Sequence, residues 1–176
     1  PGRVEGFASP LDPALWPEGE DHAHARLRAF VKKSLRDYKT LRDRPDLDGT
    51  SALSPYLAAG VLSPRQCLAA AARANEGDID AGNEGVVTWV SELAWRDFYQ
   101  HVMAAFPRVC MHRAFQPETE KVAWRDAPED FARWCEGRTG YPLVDAAMRQ
   151  LRALGWMHNR LRMVTAMFLT KDLLID

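Results

Sequence analysis

An all-α fold follows from three observations on the sequence. Apolar residues recur at helical spacing along most of the chain, strict apolar–polar alternation is nearly absent, and Ser, Asn, Pro and Gly stand where helices start and stop. Residues 1–19 are rich in Pro and Gly and read as linker or loop. From Glu20 to Tyr38 the spacing predicts a helix with Ala25, Leu27, Phe30, Val31 and Leu35 as its apolar set. A polar turn ends at Gly49, and Ser54 is expected to cap a short helix with Pro55 at its first position and Gly60 at its end. Ser63-Pro64-Arg65-Gln66 is a capping box and opens a helix to Ala74. A loop over 75–85 precedes a long helix from Val86 to Phe106. Irregular chain, including Trp124, then leads to a helix over Pro128–Glu136. Pro142 starts the next helix, whose stripe is Leu143, Val144, Ala147, Met148, Leu151 and Leu154, and Gly155 stops it. The last helix begins near His158 or Asn159 and runs toward Leu174.

At 176 residues and 47% hydrophobic, the chain has enough apolar surface for one core, so residues 20–176 are expected to form one domain. A formal net charge of −1 excludes a protein coated in positive charge, and any nucleic-acid contact has to be a local patch. Cys67, Cys110 and Cys135 form no C-x-x-C and cannot all pair, which points to a reduced cytoplasmic compartment. His22 and His24 have no further ligand cluster beside them, so no metal site is expected. No apolar run reaches membrane-spanning length. The Pro1-Gly2 start and the apolar Leu173-Leu174-Ile175-Asp176 end lead to the expectation of a piece of a larger protein.

Three constellations can carry chemistry. At Thr50–Ser54, hydroxyls and a helix start can aim at one anion, although capping alone also accounts for Ser54. Tyr38, upstream, can supply an aromatic wall or pack in the core. In W-V-S-E-L-A-W-R-D-F-Y, residues Trp89, Glu92, Arg96 and Tyr99 fall on one stripe with Trp95 beside it. That mixture suits a cavity for a flat, polar-edged ligand, with Trp95 free to stack on a base. It equally fits a Glu92–Arg96 surface pair with tryptophans at a helix crossing. Asn159, Arg162 and Met163 share one face near a helix start, with Arg160 pointing elsewhere. An amide can read a pyrimidine edge and a thioether can touch a ring, while a cap at Asn159 and a core Met163 explain the same residues.

Read jointly, L-W-P at 15–17, T-S-A-L-S-P-Y-L-A-A-G-V-L-S-P-R-Q-C, W-V-S-E-L-A-W-R-D-F-Y and the whole of 137–176 resemble the DNA photolyase/cryptochrome family, and within it the class I cyclobutane-pyrimidine-dimer photolyases. The resemblance implies a multi-helix bundle like the helical FAD-binding domain of photolyases, incomplete at its C-terminal side. It implies FAD as cofactor and, on a preceding domain, an antenna pigment, folate or deazaflavin. The partner it implies is damaged DNA with the pyrimidine dimer flipped out, acted on by a monomer with no membrane attachment. Carried over by position, Tyr38, Thr50, Ser51, Ala52, Leu53, Ser54, Trp89, Arg96, Asn159 and Arg162 are expected at the flavin. Glu92, Trp95, Asn159 and Met163 are expected at the lesion, and Arg42, Arg96, Tyr99 and Arg160 at DNA. Trp124 matches the outermost tryptophan of the chain that reduces the flavin. Ala52 stands where that motif commonly has arginine, and Met111 where relatives often have lysine. A light-sensing cryptochrome, a (6-4) photolyase and a cofactor-free helical DNA-binding module are the alternatives. Asn159 and Met163 stand where (6-4) enzymes carry histidines, which favours cyclobutane dimers.

Overall fold

The computed structural model describes residues 11–176, and residues 1–10 of the expected linker lie outside them. The described chain is helical, with no strand among the described residues. It divides into two compact units: residues Glu18–Val122, and residues 11–17 with Ala123–Asp176.

The first unit holds α1 (Glu20–Lys33), α2 (Tyr38–Leu41), α3 (Ser54–Ala58), α4 (Pro64–Ala74) and α5 (Glu84–Ala105), then two 3-10 turns at Pro107–Met111 and Pro117–Lys121. The helix expected over 20–38 stops at Lys33. The amides of Ser34 and Leu35 both bond to Phe30 O, at 2.9 and 3.1 Å. In an unbroken helix Leu35 would lie about 140° around the axis from Phe30. With the break, both side chains are buried, as are Leu27 and Tyr38. The break also sets the carbonyls of Leu35 and Arg36 against Gly85. A Cβ at Gly85 would lie 2.3 Å from Arg36 O and 2.4 Å from Leu35 O, so only glycine lets the start of α5 approach this closely.

The box at Ser63 is present in full: Gln66 N donates to Ser63 Oγ at 3.2 Å and Ser63 N donates to Gln66 Oε1 at 2.8 Å. The expected cap at Ser54 is not. Ser54 is the first helical residue, Leu53 occupies the cap position, and no side chain caps α3. Buried Asn75 organises the loop into α5. Its Nδ2 donates to Asp78 O and Ala81 O at 3.0 and 2.7 Å, and its Oδ1 accepts from Asn83 N at 2.9 Å. Burial pushes the Cys67 thiol up to about 11, against the opposing charge of Arg96, so it stays a protonated core side chain. Glu120, held below the usual carboxylate range by hydrogen bonds from Arg113 and Arg108, ties the two 3-10 turns together.

The second unit holds α6 (Pro128–Glu136), α7 (Pro142–Leu154) and α8 (Asn159–Met167). Its core is Val144, Ala147, Met148, Met157, Leu161 and Phe168, flanked by Trp134 and Leu151. Leu143, placed in the stripe by spacing, is exposed. The last helix stops short of Leu174, and Phe168–Asp172 continues as a π-helical turn. The Trp134 indole donates to Thr165 O at 3.1 Å, just before that change of pitch. Gly155 ends α7 with φ +62°, and Trp16 Nε1 donates to Leu154 O at 2.7 Å, which docks the segment before α1 onto this end.

Candidate functional site

In the unit spanning Glu18–Val122, α5 positions the aromatic and charged residues. Its first turns are buried and its later turns exposed, so the expected stripe splits. Trp89 is 3% exposed and packs against Phe30 at 5.1 Å between ring centroids. Tyr38 is also buried, edge-on to Phe30 at 5.8 Å. Both occupy the core rather than an exposed face. Trp95, by contrast, is 52% exposed and Tyr99 60%. Phe98, absent from the sequence reading, joins them: Trp95–Phe98, Trp95–Tyr99 and Phe98–Tyr99 centroids lie 5.4, 6.0 and 5.5 Å apart. The i, i+3, i+4 spacing of these three rings was the available signal. Together they make a continuous aromatic face suited to stacking.

Glu92 sits one turn before this face. Its partner is Arg42 from the chain following α2, at 2.7 Å between Nη1 and Oε1, and not Arg96 as an i, i+4 pair would have it. Arg42 also lies over the Tyr38 ring at 5.7 Å. Arg96 instead reaches α3, donating from Nη2 to Leu57 O at 3.3 Å. One arginine therefore fixes the carboxylate and another ties α5 to the helix that follows Thr50–Ser54.

That segment is rich in unused donors. Among the described residues, the hydroxyls of Thr50, Ser51 and Ser54 make no hydrogen bond, and the amides of residues 50–53 donate none to the backbone. Leu53 is buried and anchors the segment, while Ala52 takes a left-handed backbone with φ +47°. Non-glycine residues in that region are uncommon and turn the chain sharply. Burial leaves Thr50 and Ser51 half-covered and Ser54 exposed.

In the other unit, the junction before α8 is built by His158, one of the two start positions expected from the sequence, and by Gln150, which spacing did not flag. His158 caps the helix, its Nδ1 accepting from Arg160 N at 3.2 Å, and Gln150 Oε1 accepts from His158 N at 3.2 Å. Asn159 is thus released from capping and exposed. Arg162 is tied back, donating from Nε to Met157 O at 3.1 Å. Met163 is 47% exposed, so it is not a core residue. Arg160 does not point away from this face: its Nη1 lies 3.8 Å from Met163 Sδ. Asn159, Arg160 and Met163 therefore form one accessible amide, cation and thioether group.

The turn before α7 is locked by Asp145. Its Oδ1 accepts from Thr139 N and Oγ1 at 2.7 and 2.6 Å, and its Oδ2 from Gly140 N at 3.0 Å. Burial pushes this carboxyl up, but those donors and Arg149 outweigh it and hold it below its ordinary value. Arg149 itself donates from Nε and Nη2 to Gly137 O at 3.1 and 2.8 Å. Trp124 is 38% exposed, and its neighbour Arg125 is pinned by bonds to Leu174 O at 2.7 Å, Leu173 O at 3.0 Å and Asp130 at 2.9 Å.

Among the described residues, no three metal-ligating side chains come together and no helix is long and apolar enough to cross a membrane. The profile of a family described as the FAD binding domain of DNA photolyase matches residues 89–176. A deoxyribodipyrimidine photo-lyase of Salmonella typhimurium is 52% identical over 166 residues, covering 94% of this chain and 35% of that protein. Its namesake in Escherichia coli is 50% identical with the same coverage. The fold is similar to a class III photolyase of Agrobacterium tumefaciens, with TM-score 0.85 and 38% identity over 93% of this chain and 33% of that one. It is also similar to a Synechocystis cryptochrome, with TM-score 0.80 and 32% identity over 99% of this chain and 38% of that one. The chain spans about 35% of the length of the curated relatives named here.

Proposed function

The chain belongs to the family of FAD-binding domains of DNA photolyase, and on that premise we propose that the full-length protein carrying it repairs cyclobutane pyrimidine dimers in DNA under blue light. The observation that carries the reading furthest is the pairing of a fixed carboxylate with an exposed aromatic face, Glu92 held by Arg42 beside Trp95, Phe98 and Tyr99. A flipped-out pyrimidine dimer offers flat rings for the face and imide N–H groups for the carboxylate.

The donor set fits FAD. A diphosphate needs several N–H and O–H donors converging from a turn, and the unused hydroxyls and amides of Thr50–Ser54 supply them. Bound and reduced, the flavin supplies the light-excited electron that opens the cyclobutane ring. The chain's own residues bind, orient and shield. Thr50, Ser51 and Ser54, with the amides of Ala52 and Leu53, hold phosphate oxygens. Arg96 keeps α3 and α5 in register. Trp95 stacks on the lesion, and Glu92 accepts from an imide N–H, with one oxygen occupied by Arg42 so that the other faces the ligand. In the other unit, Asn159 and Met163 are the residues the family resemblance assigns to contact with rings, and Arg160 the one it assigns to a phosphate.

The likeness to a cryptochrome favours one second reading, light sensing without repair. One assay separates the two: a thymine-dimer oligonucleotide illuminated with the full-length, flavin-loaded protein. Restoration of the two thymines under blue light, and not in the dark, is the expected result. A yellow, DNA-binding protein that restores nothing refutes repair.

A further inference from the structure

An open groove of about 550 Å³ runs between α1 and α4, and none of the residues assigned to repair above lines it. Its lining steps along both helices together, from His24 and Gln66 to Lys32 and Ala74, or about 12 Å of each axis at about 1.5 Å per residue. Leu27 and Val31 of α1 face Ala70 and Ala74 of α4, so the apolar floor has one wall of small side chains. Arg28, Lys32 and Arg73 line it as well, and no carboxylate does. His24 and Gln66 meet at 3.3 Å.

Each feature restricts the occupant. A wall of alanines leaves room that only larger apolar side chains from outside can fill. Two turns of length match the reach of anchors at i, i+3, i+4 and i+7 on an incoming helix. A cationic border without acids selects an acidic flank. Phosphates and sugars could use that border but not the apolar floor, so a partner that brings apolar side chains with its acids uses more of the groove than nucleic acid does. We propose that α1 and α4 form a docking groove for an acidic amphipathic helix of a partner protein.

The test uses the full-length, flavin-loaded protein and a fluorescein-labelled synthetic peptide of about fourteen residues, with leucines at i, i+3, i+4 and i+7 and mostly glutamates elsewhere. Fluorescence anisotropy should show saturable binding that weakens as salt rises. Ala69→Trp, which fills the groove from an exposed position, and the double variant Arg28→Glu/Arg73→Glu should each weaken it roughly tenfold or more. Unchanged flavin absorbance and light-dependent repair in those variants would show that they are folded. No binding, equal binding of a scrambled peptide, or indifference to Ala69→Trp would overturn the proposal. So would displacement of the peptide by undamaged duplex DNA, which would give the face to nucleic acid. Protection of an Ala69→Cys thiol from labelling in the full-length protein would also overturn it, because the protein's own chain would then cover the groove.

Discussion

Shortening Arg42 should disorient Glu92 rather than remove a DNA contact. The guanidinium lies 2.7 Å from the carboxylate, and the two side chains are 20% and 31% exposed, so the pair sits between bulk water and a dry interior. Two unit charges about 4 Å apart attract by about 1 kcal/mol in water and about 4 kcal/mol at an effective dielectric constant of about 20. Desolvation and side-chain entropy offset much of that, and exposed pairs retain only about 0.2–1 kcal/mol. A coupling of about 1 kcal/mol is therefore expected, roughly a fivefold change in an equilibrium constant. The assay is a double-mutant cycle in affinity for a thymine-dimer oligonucleotide, with Arg42→Met, Glu92→Gln and both together in the full-length protein. If Arg42 acts through Glu92, the double variant loses little more than the worse single one. Its salt slope should also stay near that of the unmodified protein. A phosphate contact predicts the opposite on both counts, with additive losses and a slope flattened by about one unit. Additivity within about 0.3 kcal/mol would refute the positioning role.

Four further outcomes are expected. Arg160→Ala should weaken damaged and undamaged DNA alike and flatten the salt slope by about one unit; loss confined to damaged DNA would place Arg160 at the lesion instead. Trp124→Phe should abolish or greatly slow photoreduction of the oxidised flavin while chemically reduced protein still repairs, and normal photoreduction would exclude Trp124 as the electron entry. Because Asp145 has a lowered folded-state pKa, its stabilisation is fully present above the ordinary value of 3.8 and is lost as pH falls through the folded-state value. The gap in urea midpoint between the unmodified protein and Asp145→Asn should therefore be widest near neutrality and close in acid, and a gap independent of pH would count against the clamp. Gly85→Ala puts a methyl group against the carbonyls of Leu35 and Arg36 and should cost about 1–3 kcal/mol by overpacking, read as a lower thermal midpoint.

Much of the helical framework was legible because its signals are local. Pro64 and Pro142 at first helical positions, the Ser63–Gln66 box and Gly155 act through bonds a few residues long, and those boundaries agree with the structure. Where the reading failed, a distant contact decided the outcome. Spacing put Leu35 in one apolar set with Leu27 and Phe30, but nothing within Ser34–Tyr38 says that the chain must break its helix after Lys33 to bury it. Ser54 looked like a cap by composition, but the backbone enters α3 through Ala52 at positive φ, which leaves Leu53 at the cap position and the serine inside the helix.

The residues that resemble a photolyase site were all visible as words in the sequence, whereas their partners were not. Helical spacing favours pairing Glu92 with Arg96 because i, i+4 neighbours are what a sequence can count. The structure pairs Glu92 with Arg42, fifty residues earlier, and the turn at Leu35 and Arg36, just before α2, packs on the start of α5 at Gly85. The same glycine thus connects a backbone requirement to the orientation of a carboxylate. Adding a methyl at Gly85 should push the turn before α2 away from the start of α5 and so loosen the Arg42–Glu92 pair, which joins the end of α2 to α5. Gly85→Ala should then lower lesion affinity as well as thermal stability, and the Arg42–Glu92 coupling measured in its background should shrink toward zero. Retention of the full coupling in that background would show that the ion pair positions itself without the close helix approach.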